Sequence, residues 1–398
     1  MSMIQKLIII DEFLENKVGH YYEYDKSVIE SFQQQGVSYR LYTKDSVSDE
    51  IKDELNAIPF FQYNPKSFLR KIKWIGPFLY RFKNWHIVSK QIQSIITTEY
   101  EEGKGIVFFA PNIFWYNVIP YALAFRKFKC PVKVLYRTSV LETIEISEKF
   151  KPLIFKLNDW GVKAFSKNKQ VHFVTDSEVI AQQFTEKYHQ PMSVLPIPHV
   201  FEMEDKLSVA HSQIRLYLPG GARIEKGMNA ITGALELLQK NHPEMMKKIV
   251  IVLQFFGEKE KDELDALQDC ISQLSCEKIF LGKLSSEEYK EQVGLADIIL
   301  IPYLNSRGYK ARTSGVLAEA IAACKPFITS KESWMDCQVK NYHSGYAVTD
   351  TSADELAAGI LHIAQHYQQY KRDALAAKDK WLAFHSKENF VRIFTSAQ

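Results

Sequence analysis

The chain has 398 residues, more than a single hydrophobic core usually holds, which predicts two domains. Its composition is globular, with 46% hydrophobic and 24% charged residues, and a net charge of +3 argues against a strongly basic nucleic-acid-binding protein. Neither a signal peptide nor an apolar run of about 18 residues is found, so we expect a cytoplasmic protein. The five cysteines lack the spacing of a zinc site or a disulfide framework.

The first half of the chain alternates short β-branched runs with longer helical patterns, which is typical of a parallel sheet covered by helices. A helix is predicted over residues 21–35, where Gly36 ends it. The predicted strands are residues 6–11, 38–43, 105–110, 132–137, 171–175 and 192–196.

The alternation stops near residue 200, and the polar residues 201–213 predict an interdomain linker. A second series follows, with strands predicted at residues 214–218, 248–253, 278–281, 297–301, 326–329 and 345–348, and helix from residue 353 onwards. We therefore predict an α/β protein with two Rossmann-like, doubly wound domains, which leave a cleft between the carboxyl ends of both sheets.

One stretch of the second half combines features of an anion-binding site. Thr313 and Ser314 mark the start of a helix that ends before Pro326. The free N–H groups and positive end of such a helix suit a diphosphate, and Gly315 lets the anion approach the backbone closely. Glu319 lies one turn further along the same face, where a carboxylate can accept hydrogen bonds from the two hydroxyls of a ribose. Taken alone, Ser-Gly before a helix is common, and a lone glutamate is usually solvated.

A second motif is the loop after the strand predicted at residues 214–218. Gly220 and Gly221 permit a tight turn with close backbone approach, and Arg223 and Lys226 add two cations suited to a leaving diphosphate. The glycines do not follow the G-x-G-x-x-G or P-loop spacing, which disfavours a nicotinamide-dependent enzyme or an ATPase. By itself, a Gly-Gly-x-Arg loop is more often a structural turn.

In this order, the motifs of the second half resemble the donor half of glycosyltransferase family 4 (glycosyl transferases group 1), which has the GT-B fold. The resemblance rests on Pro-Ile-Pro-His-Val at 196–200, Gly-Gly-Ala-Arg-Ile-Glu-Lys-Gly at 220–227, Gly257, Leu-Gly at 281–282, Ala-Asp-Ile-Ile-Leu-Ile-Pro-Tyr at 296–303, Ser-Gly-Val-Leu-Ala-Glu-Ala at 314–320 and Lys-Pro at 325–326. It implies an acceptor-binding domain over 1–200, a donor-binding domain over 201–378, and a C-terminal helix over 379–398 that packs back on the first domain.

The resemblance also implies transfer of a sugar from a nucleotide diphosphate sugar to an acceptor hydroxyl, usually with retention of the anomeric configuration. No metal or other cofactor is expected, because cations and a helix dipole neutralise the leaving group. Arg223 and Lys226 would be catalytic and hold the diphosphate, and Glu319 would bind the ribose. The donor-binding residues carried over are Gly220, Gly221, Arg223, Lys226, Thr313, Ser314, Gly315, Val316 and Glu319.

The sequence departs from the family at Ala311, where members commonly have a second glutamate that touches the donor sugar. Arg307, Lys310 and Arg312 crowd the same loop, which makes an acidic or modified donor sugar one interpretation, although cations in loops are commonly just solvated.

Polar residues near two strand ends of the first half are candidates for the acceptor side. They are His20, Glu23 and Asp25 after the first strand and Arg137 at the end of another, while Val-Thr-Asp-Ser-Glu at 174–178 resembles a strand end of the family. An inverting enzyme requires a general base and a retaining enzyme does not. His20 is the catalytic candidate, and it can equally cap the helix that follows.

Cations alternate with aromatic residues between Lys66 and Trp85, a mixture expected of a surface that rests on anionic lipid. The alternative is that the aromatic rings are core and the cations solvated. With this segment, the resemblance favours an enzyme on the inner face of the membrane, which uses a glycan or lipid-linked acceptor for bacterial surface polysaccharide or glycolipid synthesis. Two other hypotheses share the fold: a sugar-nucleotide epimerase and a non-catalytic binding protein.

Overall fold

The computed structural model describes residues 4–17, 20–62, 76–114, 116–138, 151–198, 213–257 and 260–396. The chain forms two compact units. The N-terminal unit comprises Met1–His199 and His385–Gln398, and the C-terminal unit comprises Val200–Phe384. The predicted linker over 201–213 lies outside the described residues except for Gln213.

The N-terminal unit is built on a seven-stranded sheet with the order β3-β2-β1-β4-β5-β6-β7. Every neighbouring pair is parallel, as in a doubly wound fold. The strands are β1 (Lys6–Asp11), β2 (Ser38–Lys44), β3 (Ala57–Phe61), β4 (Ile106–Ile113), β5 (Val132–Tyr136), β6 (Val171–Thr175) and β7 (Ser193–Val194).

Helices cover this sheet, and α3, α4 and α5 pack side by side. The last helix of the chain, α15, packs against α1 and inserts Phe390 and Phe394 into the core around Phe32 and Phe109. The helices are α1 (His20–Gln33), α2 (Asp49–Leu55), α3 (Gly76–Glu99), α4 (Val118–Phe125), α5 (Lys151–Ser166), α6 (Glu178–Tyr188) and α15 (Lys387–Ser396).

The C-terminal unit has a six-stranded parallel sheet with the order β10-β9-β8-β11-β12-β13. The strand order reverses between β8 and β11, and ligands of such sheets bind beyond the carboxyl ends of the strands at this point. The strands are β8 (Ile214–Gly221), β9 (Ile249–Gln254), β10 (Glu277–Leu281), β11 (Ile298–Ile301), β12 (Phe327–Ser330) and β13 (Gly345–Val348). The helices are α7 (Met228–Asn241), α8 (Pro243–Met246), α9 (Lys261–Ser272), α10 (Ser286–Leu295), α11 (Gly315–Ala322), α12 (Trp334–Tyr342), α13 (Ala353–Gln365) and α14 (Tyr367–Phe384).

The predicted fold class is confirmed, and β1, β6 and β13 have the predicted bounds. Strand β3 was not predicted. Its sequence contains Pro59, which cannot donate to a ladder and which argues against a central strand, but β3 lies at the sheet edge where proline is tolerated.

A single helix over 379–398 is wrong. Helix α14 ends at Phe384 and α15 starts at Lys387, because the intervening residues make bonds that a continuous helix would prevent. The buried His385 accepts the backbone N–H of Ile197 at 2.7 Å through Nδ1, and the Ser386 hydroxyl accepts the N–H of Asn389 at 3.2 Å.

Much of the basic aromatic segment between Lys66 and Trp85 lies outside the described residues. Where the side chains are described again, Lys83 is exposed but Trp85 is buried and donates its indole N–H to the Tyr116 carbonyl at 2.7 Å. Trp85 therefore belongs to the core and not to a lipid-facing surface.

Candidate active site

The glycine loop, residues 220–227 at the end of β8 and after it, is held close to the neighbouring strand end. Gly227 has φ +85°, and a Cβ there would lie 2.2 Å from the Pro302 carbonyl oxygen, so only glycine fits. Gly220 has φ +71°, and its N–H donates to Gln254 Oε1 at 2.7 Å. A Cβ on Gly220 would lie 2.9 Å from Lys226 Nζ, which shows how closely this lysine approaches the loop backbone.

Lys226 is the buried cation of the loop. It lies on a short 3₁₀ turn, Ile224–Lys226, and its Nζ donates to the Pro219 carbonyl at 3.0 Å. Burial lowers the pKa of Lys226 to about 8, with the Arg223 charge adding to the effect. A buried ammonium held by one carbonyl gains strongly from an anion, because a second negative partner offsets its desolvation.

Arg223 is the exposed cation of the same loop. Its side chain is 47% exposed, and Nη1 lies 3.1 Å from Glu225 Oε1. Glu225 also accepts the Tyr309 hydroxyl at 3.3 Å, so the carboxylate connects the glycine loop to the loop before α11.

The predicted helix start at Ser314 is confirmed. Ser314 is the N-cap of α11, and its Oγ accepts the N–H of Leu317 at 3.3 Å. The first-turn N–H groups, which include those of Gly315 and Val316, have no partner within a helix, and such groups favour nearby negative charge. Thr313, directly before the cap, is partly buried.

Glu319 is partly buried one turn into α11. One of its oxygens, Oε2, accepts a short hydrogen bond from the hydroxyl of Tyr289 on α10. Burial raises the pKa of Glu319 to about 7, although the Tyr289 hydrogen bond and the Lys290 charge oppose the shift. The sequence predicted that both oxygens of Glu319 are open to ribose hydroxyls. In the structure, Tyr289 occupies Oε2, so Oε1 is the oxygen that remains for a ligand.

Tyrosines of four different segments surround this region, and the sequence analysis assigned none of them. Tyr217 donates to Gln254 Oε1 at 2.7 Å, Tyr289 donates to Glu319, and Tyr309 donates to Glu225. The ring of Tyr303 packs on that of Tyr309, with centroids 4.8 Å apart. The charges of Glu319 and Arg223 both act on Tyr303, which places these predicted site residues in one neighbourhood.

Gln254 at the end of β9 is a further residue that sequence reasoning missed. It is 2% exposed, and its Oε1 accepts both the Tyr217 hydroxyl and the Gly220 N–H. Its Nε2 donates to the Gly282 carbonyl at 3.4 Å. Gln254 thus fixes the glycine loop against the end of β10. Its polar side chain at the end of an apolar strand was the available signal.

Ala311 is fully buried, so its side chain offers nothing to a ligand. Of the nearby cations, Lys310 lies 3.5 Å from Glu332 Oε2, and the Arg312 guanidinium lies 5.4 Å from the centre of the Tyr309 ring. The side chain of Arg307 lies outside the described residues.

On the acceptor side, the structure brings Asp25 and Arg137 together, with Asp25 buried and Arg137 partly exposed. Asp25 is fully buried and lies within hydrogen-bonding reach of Asp11. Arg137 Nη1 bonds Asp176 at 2.5 Å, and its Nε donates to the Pro111 carbonyl. Asp25 therefore cannot contact an acceptor as an accessible base.

Of the other two acceptor-side candidates, Glu23 has a described side chain and His20 does not. Glu23 is partly exposed in the first turn of α1. His20 begins α1, and its side chain lies outside the described part of the chain. The catalytic role of His20 stays a prediction.

Two expectations concern metals and membranes. Within the described ranges, no three His, Cys, Asp or Glu side chains are placed to hold a metal ion. No helix of that part of the chain is long and apolar enough to cross a bilayer.

Two parallel sheets of this order, with a glycine loop and a helix start at the strand-order switch, are the architecture of GT-B glycosyltransferases, and solved structures of that class match the chain. Sucrose-phosphate synthase from Thermosynechococcus elongatus aligns over 98% of both chains with a TM-score of 0.71 and 13% identity. Anabaena Alr3699/HepE in complex with UDP aligns over 98% of both chains with a TM-score of 0.67 and 14% identity. A glycosyltransferase from Rickettsia africae covers 100% of this chain and 98% of its own, with a TM-score of 0.67 and 14% identity.

The C-terminal unit carries the family match. Residues 201–379 match the family "Glycosyl transferases group 1", and the predicted resemblance is confirmed. Assignment to family 4 in particular stays a prediction. No curated protein matches the chain.

Proposed function

We propose that the protein is a glycosyltransferase that moves a sugar from a nucleotide diphosphate sugar to an acceptor hydroxyl. The observation that carries the proposal is the grouping of Lys226, Arg223 and Glu319 around the strand-order switch of the C-terminal unit. The family match and the GT-B fold support the same reaction class.

Each group has a role that follows from its surroundings. Lys226 and Arg223 would bind the diphosphate and stabilise the charge that grows on it as the glycosidic bond breaks. The backbone N–H groups at the start of α11 would bind phosphate oxygens. Glu319 would accept a ribose hydroxyl through Oε1, while Tyr289 holds the other oxygen.

We further propose that the transfer needs no metal ion and retains the anomeric configuration. The two cations and the α11 N-terminus supply the positive charge that a metal would otherwise provide. The buried position of Asp25 removes one candidate base of an inverting mechanism and so supports retention. The donor is proposed to be a hexose nucleotide, with UDP-sugars tested first because the Anabaena neighbour was solved with UDP-glucose.

A donor panel with and without acceptor sugars tests the proposal. We expect release of nucleoside diphosphate that depends on acceptor and persists in EDTA. Donor epimerisation without release would establish the epimerase instead, and binding without turnover would establish a non-catalytic protein. Activity that is lost in EDTA and restored by Mn²⁺ would contradict the metal-free mechanism.

The proposed setting is bacterial surface polysaccharide or glycolipid synthesis at the cytoplasmic face of the membrane, with a glycan or lipid-linked acceptor. Among the described residues, the proposal is supported by one exposed face of α5, formed at helical spacing by Leu153, Lys156, Trp160 and Lys163 and extended by Lys167 directly after the helix. Leu153 and Trp160 are 47% and 49% exposed, which is unusual for large apolar side chains. A face of apolar and basic residues suits anionic lipid, and Asp159 at its edge is paired with Lys187.

More cations adjoin this α5 face. The side chain of Asn168 donates to the carbonyls of Phe125 and Phe128 at 3.1 and 2.9 Å, which ties the end of α5 to the end of α4. Arg126, Lys127 and Lys129 at the end of α4 are exposed.

Vesicle co-sedimentation tests the contact. Replacing Lys156, Lys163 and Lys167 by Ser should release the protein from phosphatidylglycerol vesicles, and salt should do the same to the wild type. The charge-matched control, Lys240, Lys248 and Lys261 to Ser in the C-terminal unit, should still sediment. Equal sedimentation of both variants would contradict a role for the α5 face.

A further inference from the structure

Tyr303 differs from the other tyrosines of the donor region in one respect. Its side chain is 4% exposed, and its buried hydroxyl has no hydrogen-bond partner among the described residues. The hydroxyls of Tyr217, Tyr289 and Tyr309 all have one. A buried hydroxyl without a partner costs about 1–3 kcal/mol, so its retention calls for an explanation.

The surroundings of Tyr303 are those of an anion site. The residue lies two positions after the end of β11, and the intervening Pro302 contacts Gly227 of the glycine loop. The ammonium of Lys226 lies 5.9 Å from the centre of its ring, and the charge of Arg223 also acts on it. Burial raises the pKa of Tyr303 well above its usual range although the Arg223 charge opposes the shift, so the hydroxyl keeps its proton and remains a hydrogen-bond donor.

Phosphate oxygens match this donor better than the other parts of a nucleotide sugar. They are the atoms that Lys226 and Arg223 attract, whereas the ribose already has the Glu319 carboxylate as acceptor. A hydroxyl that donates to a charged oxygen makes a stronger bond than one that donates to a neutral oxygen.

We infer that the Tyr303 hydroxyl is a further donor-binding group, which donates a hydrogen bond to a diphosphate oxygen of the nucleotide. This inference rests on the proposed function and extends its binding site by a residue outside the glycine loop and α11. It also explains why the hydroxyl is kept where phenylalanine would fill the same space.

Tyr303→Phe removes the hydroxyl and keeps the ring. We expect the affinity for UDP or GDP, whichever the wild type binds, to fall about 10-fold to 100-fold, as for a lost bond to a charged group. The affinity for the matching nucleoside, measured by competition, should not change. An equal loss for the nucleoside would assign the hydroxyl to the ribose or base and overturn the inference.

The matched control is Tyr367→Phe in the same unit, whose hydroxyl donates to Asp297 Oδ1 at 2.8 Å. This control should lower the thermal midpoint and leave nucleotide affinity unchanged, whereas Tyr303→Phe should leave the midpoint unchanged or raise it. If Tyr303→Phe binds the nucleotide with wild-type affinity, the inference about Tyr303 is wrong, and the proposed function is unaffected. A wild type that binds neither UDP nor GDP and turns over no donor would instead overturn the proposed function.

Discussion

The carboxyl edges of the two sheets carry charged residues that are used in opposite ways. In the N-terminal unit, Arg137 is bonded to Asp176 and to a backbone carbonyl. Asp11 accepts the Asn112 amide at 2.7 Å, and the fully buried Asp25 adjoins Asp11. The Arg137 charge is therefore satisfied by its neighbours, while Asp25 lies in the interior beside a second acid.

In the C-terminal unit, the corresponding charges keep capacity for a further partner. Lys226 donates to a single carbonyl in the hydrogen bonds that the structure resolves, Glu319 has one oxygen bonded to Tyr289, and Arg223 is half exposed. The difference teaches that strand-end charge alone does not identify a ligand site. What distinguishes the C-terminal unit is that cations and a carboxylate from neighbouring segments, each only partly satisfied, are grouped at one end of its sheet.

The largest effect should come from breaking the satisfied network. Arg137→Met removes the guanidinium from the buried Asp176, and we expect a loss of about 3–5 kcal/mol in the free energy of unfolding of the N-terminal unit. Urea unfolding measures it. Lys187→Met is the control, because its partner Asp159 is 29% exposed and such pairs contribute about 1 kcal/mol or less. Equal losses would show that the Arg137 network is no more structural than a surface pair.

Lys226→Met tests the opposite use of charge in the C-terminal unit. Turnover should fall about 100-fold, equivalent to about 3 kcal/mol, because the cation faces charge that grows in the transition state. Arg223→Met should cost less, since this side chain is exposed and shared with Glu225. Steady-state kinetics with donor titration separates the effect on turnover from the effect on donor affinity. An equal loss of donor affinity with unchanged turnover would assign Lys226 to ground-state binding.

Glu319→Gln sharpens the assignment of the donor pocket. Loss of the charge should weaken nucleoside diphosphate binding by about 2 kcal/mol, measured by calorimetric titration. With a pKa of about 7, wild-type Glu319 loses its charge as the pH falls below that value, so wild-type affinity should fall in the same range. The Gln variant should lack this part of the pH dependence. Unchanged affinity of the variant would rule out the ribose role.

Asp25→Asn should have the smallest effect, and its sign depends on pH. Neither oxygen of Asp25 meets a donor among the described residues, and the adjoining Asp11 is also an acid, so we expect the pair to share a proton. Burial holds the pKa of Asp25 well above its usual range. The unfolded state ionises first, so wild-type stability should fall as the pH rises above about 4.

The Asn variant should match the wild type within about 1 kcal/mol at acid pH, because the amide can donate to Asp11 as the acid does. It should then lose less stability than the wild type as the pH rises. Thermal midpoints measured across the pH range check this. Parallel profiles for the two proteins would contradict the shared proton.

The sequence predicted those parts of the molecule that depend on local pattern. Apolar runs located β1 and β6, and the Ser314 cap located α11, because burial and capping involve neighbouring residues. Local pattern could not predict which residues bond the candidate site residues. Tyr289 bonds Glu319 across 30 residues, and Gln254 bonds Gly220 across 34, and no local pattern encodes such pairs.

Asp25 is a residue that sequence pattern wrongly suggested for the site. A polar residue after a strand was a reasonable acceptor-site candidate, but only the packed structure shows that the side chain lies in the interior. Trp85 was misjudged for the same reason, since its aromatic neighbours in sequence did not reveal the carbonyl that its indole meets.

The return of α15 to the N-terminal unit has a consequence for synthesis on the ribosome. Phe390 and Phe394 are fully buried with Leu7, Val28 and Phe109 in one core, so the N-terminal unit is completed by residues that follow the whole C-terminal unit in the chain. The unit over Val200–Phe384 is continuous and can fold as soon as it emerges. A nascent N-terminal unit must therefore keep an apolar surface open until residues 387–396 have been made, which exposes it to aggregation for longer than the C-terminal unit.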